Sequence, residues 1–394
     1  MAKAYLTPYG VGLGHASRLM LVANRLKNCG VTIKFSSYGE AATYISMHGY
    51  KCLTVPPVDF TWSLGGKFSI KYSISNIPRW FTNFSIQVNK EIQNMIGYNP
   101  DIIISDTRLS SILAAKVLGI SSVVILNQAK LLLSPRLHEF KIARLFEKIN
   151  GELLGSLWSM SDKILIPDLP PPYTIASHNI WDVSSIVKKI QYVGFMAPEL
   201  HVDQAQINKV AQYLSLDRSR PIIFIHISGP MQTRMTIIKI IVEACKCLSR
   251  EIQYIVSEGR PTGSTQPKKL AGSGWYYEWC PVRDEILAMS NLLIIRGGHV
   301  AISQAIQFGK PMISIPIENH GEQLGNSEKI AKIGVGIMLQ TKQLNTKVII
   351  DAIYQILNHS IYQDKANEIM KLTDKLNGID NVIKTILSSL SKDM

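Results

Sequence analysis

Short apolar runs and amphipathic stretches alternate along this chain. The run AKAYLTP reads as a strand, and after a glycine-rich turn HASRLMLVANRLKN follows. The apolar positions of that second segment recur at three and four residues, the spacing of one helix face, and the pattern stops at Gly30. VTIKFSS, GEAATYISMHG and KCLTVP then read as strand, helix and strand, and DIIISD, LSSILAAKVLG and SSVVILN continue the alternation. Strands apolar along their whole length and separated by helices predict a parallel sheet covered on both faces.

The alternation breaks near YVGFMAPELHVD and restarts with RPIIFIHISG, MTIIKIIVEACKCLS and EIQYIVSEG. GWYYEW, ILAMSNLLIIRGG, HVAISQAIQFG, KPMISIPI and EQLGNSEKIAKIG extend it, and from about residue 346 the chain reads as two helices, one of them in TDKLNGIDNVIKTILSSLSK. At 394 residues the chain exceeds one average domain. The predicted fold is α/β, with two doubly wound parallel-sheet domains, 1–195 and 196–360, and a helical tail, 361–394, packing back on the first. Such halves hold ligands beyond the carboxyl ends of their strands, here in a cleft between the domains.

Two stretches interrupt the pattern. FTWSLGGKFSIKYSISNIPRWFTNFSIQVNKEIQ mixes aromatic and basic residues. LLLSPRLHEFKIARLFEKINGELLGSLWSM predicts an amphipathic helix with Phe140, Leu145, Phe146, Ile149 and Leu153 largely on one side. Either that face is buried against its own domain, or it meets an anionic lipid surface with basic residues at the headgroups.

Charge bears on this choice. The net charge is +13, and residues 1–195 hold 20 Lys/Arg against 11 Asp/Glu. The cations are scattered and no nucleic-acid module appears, so a membrane or a phosphorylated ligand is the expected partner, and nucleic acid is not. No apolar run is long enough to span a bilayer, and the N-terminus lacks a secretion signal, so a cytoplasmic protein is expected, peripheral on the membrane if it meets lipid. The five cysteines form no zinc-like double pair; they are expected to be reduced, with no metal site.

Two turns carry candidate chemistry. In YGVGLGHASR, glycines that include Gly12 and Gly14 let the backbone turn tightly, and a helix start follows, offering free N–H groups with His15 at its rim. The stretch reads equally as an anion site or as an ordinary strand–helix connection. In WCPVRDEILAMSNLLIIRGGHVAISQAIQFGKPMISIPIENHGEQLGN, the RGGH junction places small residues, amides and cationic Arg296 where a diphosphate could rest. Trp279 offers a flat face for a base, and the Glu-Gln pair offers partners for hydroxyls. Together these favour a nucleoside-diphosphate sugar.

This second stretch resembles the donor-binding segment of nucleotide-sugar-dependent glycosyltransferases of the Rossmann-like GT-B fold, UDP-glycosyltransferases and lipid-linked N-acetylglucosaminyltransferases among them. The shared pattern is Trp-x-Pro, a Gly-Gly turn, G-x-P and a closing Asp/Glu-Gln. GLGHASR resembles the N-terminal loop of prokaryotic members, and PDIIISDTRLSSILAAKVLGISSVVILNQ their strand–Asp–helix element. The resemblance implies that Trp279 stacks on the base and that Arg296, Gly297, Gly298 and His299 face the diphosphate. Ser228 and Gly229 would close over phosphate from the other side, while Glu322 and Gln323 contact the donor sugar. Gln304 stands where the family has a Glu on the ribose, which removes the charge-assisted part of those bonds, roughly 1 kcal/mol. Val300 and Ala301 replace polar phosphate contacts, and Val282 follows Trp-x-Pro where many eukaryotic members have Gln.

By position in the family, His15 is the general base and Asp106 the acid that orients it. The expected activity is inverting, metal-independent hexosyl transfer from a nucleoside-diphosphate sugar, a UDP-sugar by the resemblance, to a hydroxyl acceptor that is lipid or lipid-linked. No cofactor beyond that co-substrate is expected. The rivals are a small soluble acceptor, a nucleotide-sugar epimerase of the same architecture, and a non-catalytic partner. Trp275, Tyr276 and Tyr277 are expected in the core or its rim, and His226 takes no assignment.

Overall fold

The structure, a computed structural model, describes residues 1–11, 13–58, 77–133, 139–196, 203–229, 231–260 and 262–391. Gly12 and the aromatic–basic stretch before residue 77 lie outside them. Residues 1–58, 77–196 and 376–391 form one compact unit, and residues 203–375 form a second.

The first unit is built on seven strands: β1 (Lys3–Pro8), β2 (Thr32–Ser37), β3 (Cys52–Thr54), β4 (Ile102–Asp106), β5 (Ser121–Ile125), β6 (Lys163–Ile166) and β7 (Ile190–Tyr192). Their order is β3-β2-β1-β4-β5-β6-β7, and every neighbouring pair is parallel. The chain leaves β1 for β2 on one side and later returns to β4 on the other. The ends of β1 and β4, where Pro8 lies opposite Asp106, therefore form the switch point at which open α/β sheets bind ligands.

One face of this sheet is covered by the helix Gly14–Asn28, whose Leu19, Val22, Ala23 and Leu26 are buried with Leu6 and Ile104 of the strands. The helix Gly378–Leu390 joins the same core through Val382 and Ile386, each fully buried. Burying side chains of this size contributes roughly 1.5–3 kcal/mol each, which ties the end of the chain to the first unit.

The second unit repeats the plan with β8 (Ile222–His226), β9 (Gln253–Ser257), β10 (Lys268–Lys269), β11 (Gly274–Tyr277), β12 (Leu292–Ile295), β13 (Met312–Ser314) and β14 (Gly336–Met338). The order is β10-β11-β9-β8-β12-β13-β14, parallel except between β10 and β11. Its switch point lies between β8 and β12.

The tail departs from the two helices that the pattern predicts. Three are present: Thr346–Asn358, Ser360–Thr373 and Gly378–Leu390. The run TDKLNGIDNVIKTILSSLSK breaks at Asn377, whose side chain accepts the Asp380 N–H at 3.1 Å and so caps a new helix. Ser360–Thr373 belongs to the second unit and Gly378–Leu390 to the first. No helix among the described residues is long and apolar enough to cross a membrane.

Candidate active site

In the first unit the glycine loop follows β1 and opens the helix Gly14–Asn28, which places His15 in its first turn beside the end of β4. Gly14 is the first residue of that helix. Gly10 packs closely, since a Cβ there would stand 2.2 Å from the Tyr38 ring.

Nδ1 of His15 lies 2.7 Å from Oδ1 of Asp106. Arg18, one turn further along, donates from Nε to Oδ2 and from Nη2 to Oδ1, both at 2.7 Å. Asp106 and Arg18 are buried, whereas the His15 side chain keeps 22% of its surface exposed. Burial pushes the Asp106 carboxyl up, but the Arg18 and His15 charges and hydrogen bonds outweigh it and hold the group down at about 2.

An ionised carboxylate only accepts, so His15 must donate from Nδ1, which leaves Nε2 with the lone pair when the ring is neutral. Arg18 Nη2 also lies 3.3 Å from His15 Nδ1, and since both are donors toward Oδ1 this is proximity rather than a bond. Thr107 completes the cluster with a hydroxyl 3.2 Å from Asp106 Oδ1 and a backbone φ of 55°. For a β-branched residue that conformation is strained, and its N–H to Ile125 O bond at 3.0 Å helps hold it.

Sequence reasoning singled out His15 and Asp106 and missed Arg18 and Asn127. Asn127 Oδ1 accepts from Arg18 Nη2 at 3.5 Å and from Thr107 at 3.4 Å. The available signal was spacing: Arg18 follows His15 by three residues and so shares its helix face.

In the second unit the assigned residues follow strand ends on one edge of the sheet: Ser228 and Gly229 after β8, Trp279 after β11, Arg296 to His299 after β12, and Glu322 and Gln323 after β13. Gly229 adopts φ 110°, a conformation suited to glycine, and its carbonyl accepts from Arg234 Nη1 at 3.3 Å. Arg234 also pairs with Glu258 at 3.5 Å, and Glu258 accepts from the Tyr276 hydroxyl. That brace was not foreseen.

Gly297 has φ 76°, and a Cβ there would lie 2.5 Å from Ser327 Oγ and 2.9 Å from the Gln323 carbonyl. Asn326 Nδ2 donates to the Gly297 carbonyl at 3.2 Å. At Gly298, by contrast, a Cβ would meet nothing within 4 Å among the described residues. The corner is packed on one side and open on the other. The helix His299–Gln307 starts there, with Gly298 before it.

Arg296 is the unusual member. It is 4% exposed, and among the described residues its Nε and Nη1 have no hydrogen-bond partner. Burial draws its guanidinium down to about 10. Gln304 is also buried, and among the described residues its Nε2 has no acceptor. Buried donors left in this state fit an oxygen-rich anion and its hydroxyls.

His299 is buried, with Nδ1 3.4 Å from Ser303 Oγ. Gln323 is held by accepting the Ile317 N–H at 2.9 Å, while Glu322 and Trp279 are half-buried. Trp275 is structural: its Nε1 donates to Leu214 O at 2.8 Å and Lys269 lies 4.1 Å over its ring. Tyr277 is buried.

Two doubly wound parallel-sheet units give the chain a GT-B fold, and the chain is a glycosyltransferase. Residues 234–385 match the glycosyltransferase family 28 C-terminal domain. An uncharacterized glycosyltransferase of Methanosarcina mazei is 26% identical over 94% of this chain and 93% of its own. One of Methanosarcina acetivorans is 26% identical over 97% of each. Among solved structures, the Spinosyn Rhamnosyltransferase SpnG complexed with thymidine diphosphate is similar in fold, with a TM-score of 0.70 at 14% identity, covering 98% of this chain and all of the other.

Proposed function

We propose that the chain transfers a sugar, with inversion, from a UDP-sugar to a hydroxyl carried by a lipid or lipid-linked acceptor at an anionic membrane surface. The observation that carries the catalytic part is the 2.7 Å His15–Asp106 contact, in which an ionised carboxylate fixes the imidazole tautomer. The acceptor O–H gives its proton to Nε2 of His15 as its oxygen bonds to the anomeric carbon. The bond from that carbon to the diphosphate oxygen breaks, and the diphosphate leaves with the electron pair.

Asp106 steadies the resulting imidazolium. The departing charge meets Arg296 and the amides at the start of the helix His299–Gln307, a fixed set of donors aimed at developing negative charge. Trp279 stacks on the base, Gln304 contacts the ribose, and Glu322 with Gln323 contact the sugar. Ser228 and Gly229 close over the phosphates, and the glycine loop at Gly12 and Gly14 completes the donor contacts. The thymidine diphosphate held by SpnG supports a pyrimidine nucleoside diphosphate here.

The test is incubation of purified chain with UDP- and TDP-sugars, with and without detergent-dispersed lipid. UDP release coupled to glycolipid formation is expected. Transfer to soluble hydroxyl acceptors alone would replace the lipid part of the reading. Epimer formation without UDP release would overturn the whole of it.

A further inference from the structure

The helix Lys141–Trp158 turns small and polar residues inward over most of its length, with Trp158 and Leu154 on the core at its end, and turns a row of large apolar ones outward. Its buried side carries Ala143, Glu147, Asn150, Gly151, Gly155 and Trp158. Glu147 accepts the Leu133 N–H at 2.6 Å, and Asn150 accepts the Leu131 N–H at 2.9 Å. A Cβ on Gly155 would come within 2.2 Å of Ser185 Oγ and 2.4 Å of Val183 Cγ1, so this side must stay bare for the helix to seat. These ties fix the rotation of the helix about its axis.

The opposite side is left to solvent. Ile142, Leu145, Phe146, Ile149 and Leu153 recur at three- and four-residue steps and so form one stripe, with Phe140 just before it. Their exposures run from 49% to 77%. Lys141, Arg144 and Lys148 recur with the same spacing along one flank, all exposed. Both carboxylates of the helix are engaged elsewhere: Glu147 as described, and Glu152 with the backbone N–H groups of Ser184 and Ser185.

We propose that this face docks the first unit on an anionic lipid surface, with the stripe at the acyl boundary and the three cations at the headgroup phosphates. Stable soluble monomers rarely leave an apolar patch of this extent bare. A second copy seated on the same face would set its cations against these, whereas anionic headgroups neutralise them. The inference rests on the reading of a lipid-borne acceptor, since it brings the protein to the surface where such acceptors lie.

The experiment is cosedimentation of the full chain with vesicles of phosphatidylcholine alone and of phosphatidylcholine mixed with phosphatidylglycerol. Three proteins are compared: the unaltered chain, Ile142→Ser with Ile149→Ser, and Arg144→Glu with Lys148→Glu. The altered side chains are solvent-exposed, and unchanged melting curves verify the fold. The unaltered chain is expected on the anionic vesicles. The apolar variant should lose about tenfold or more in partitioning. The charge-reversed variant should lose at least as much at low salt, and less at high salt, where the headgroup attraction is already screened.

Equal partitioning of all three proteins would overturn the proposal. So would a dimer that the apolar variant dissolves while vesicles bind none of them. Donor-induced melting shifts and transfer to a soluble hydroxyl acceptor are read separately. Failure to bind vesicles with donor binding intact removes the docking surface alone, and vesicle binding without donor binding removes the transferase reading alone.

Discussion

Arg18 grips both oxygens of Asp106, through Nε and Nη2 at 2.7 Å each, so the acid that positions His15 is itself held in one plane. Lysine keeps the charge but cannot reproduce the two-pronged grip. Arg18→Lys is therefore expected to lower kcat about tenfold with little change in donor KM, because Asp106 gains freedom to turn. Arg18→Gln removes the charge as well. It should move the acid limb of the kcat/KM profile to higher pH and cost on the order of 3 kcal/mol of stability, the scale for breaking a buried pair. Identical profiles for both variants would deny Arg18 a positioning role.

Asp106→Asn tests the tautomer. An amide in that place can present N–H to Nδ1 of His15, which would move the ring proton to Nε2 and remove the base from where the acceptor needs it. Turnover should fall by about 10³–10⁴, the scale known for such exchanges in Asp–His pairs, while the donor-induced melting shift persists. His15→Ala should match it in direction, with a loss of 10² or more. An Asn variant as active as the unaltered enzyme would reject the assigned geometry.

The alternation of apolar runs made the doubly wound plan legible before any coordinates, whereas the pairing of His15 with Asp106 came from the family resemblance rather than from spacing alone. Other features depend on long-range packing. Arg18 reads as an ordinary helix residue until β4 brings Asp106 to it. The periodicity of Lys141–Trp158 reveals an apolar stripe but not which way it faces; Glu147, Asn150 and Gly155 settle that through contacts 14 to 30 residues distant. The tail reads as two helices because the break between Thr346–Asn358 and Ser360–Thr373 is the single residue His359, with no glycine or proline to mark it. The short strands β6, β7 and β14 carry too few residues for alternation to speak.

Arg296→Met separates binding from stability. The guanidinium is buried, with Nε and Nη1 unpartnered among the described residues, so an apolar side chain of similar length should leave the unliganded protein as stable or more so. Charge-assisted bonds to phosphate contribute roughly 1.5–3 kcal/mol, so donor affinity should weaken by about tenfold to a hundredfold. Isothermal titration with UDP, alongside the melting temperature of the free protein, checks both. Unchanged affinity would remove Arg296 from the diphosphate site.

His226 makes the stability of the second unit depend on pH below 6.5. Burial, with a smaller push from the Arg283 charge, lowers its imidazole from 6.5 to about 3. The ring sits with Nδ1 3.3 Å from Ser257 Oγ, and a Cβ at Gly259 would lie 2.9 Å from its Cε1. Because the folded value lies below the unfolded one, the unfolded chain binds more protons between those limits. The stability that His226 contributes is therefore complete above pH 6.5 and falls as pH drops toward 3, by up to ~1.4 kcal/mol per pH unit for one such group. Asp106, depressed to about 2 from 3.8, adds its own loss only below pH 3.8. Between about pH 6.5 and 4 the histidines dominate, and His320, also lowered by burial, shares that window. Urea midpoints measured across it should decline in the unaltered chain, decline less in His226→Gln, and least in a variant that also carries His320→Gln. If His226→Gln left the slope as steep as before, the proton taken up on unfolding would belong to another group.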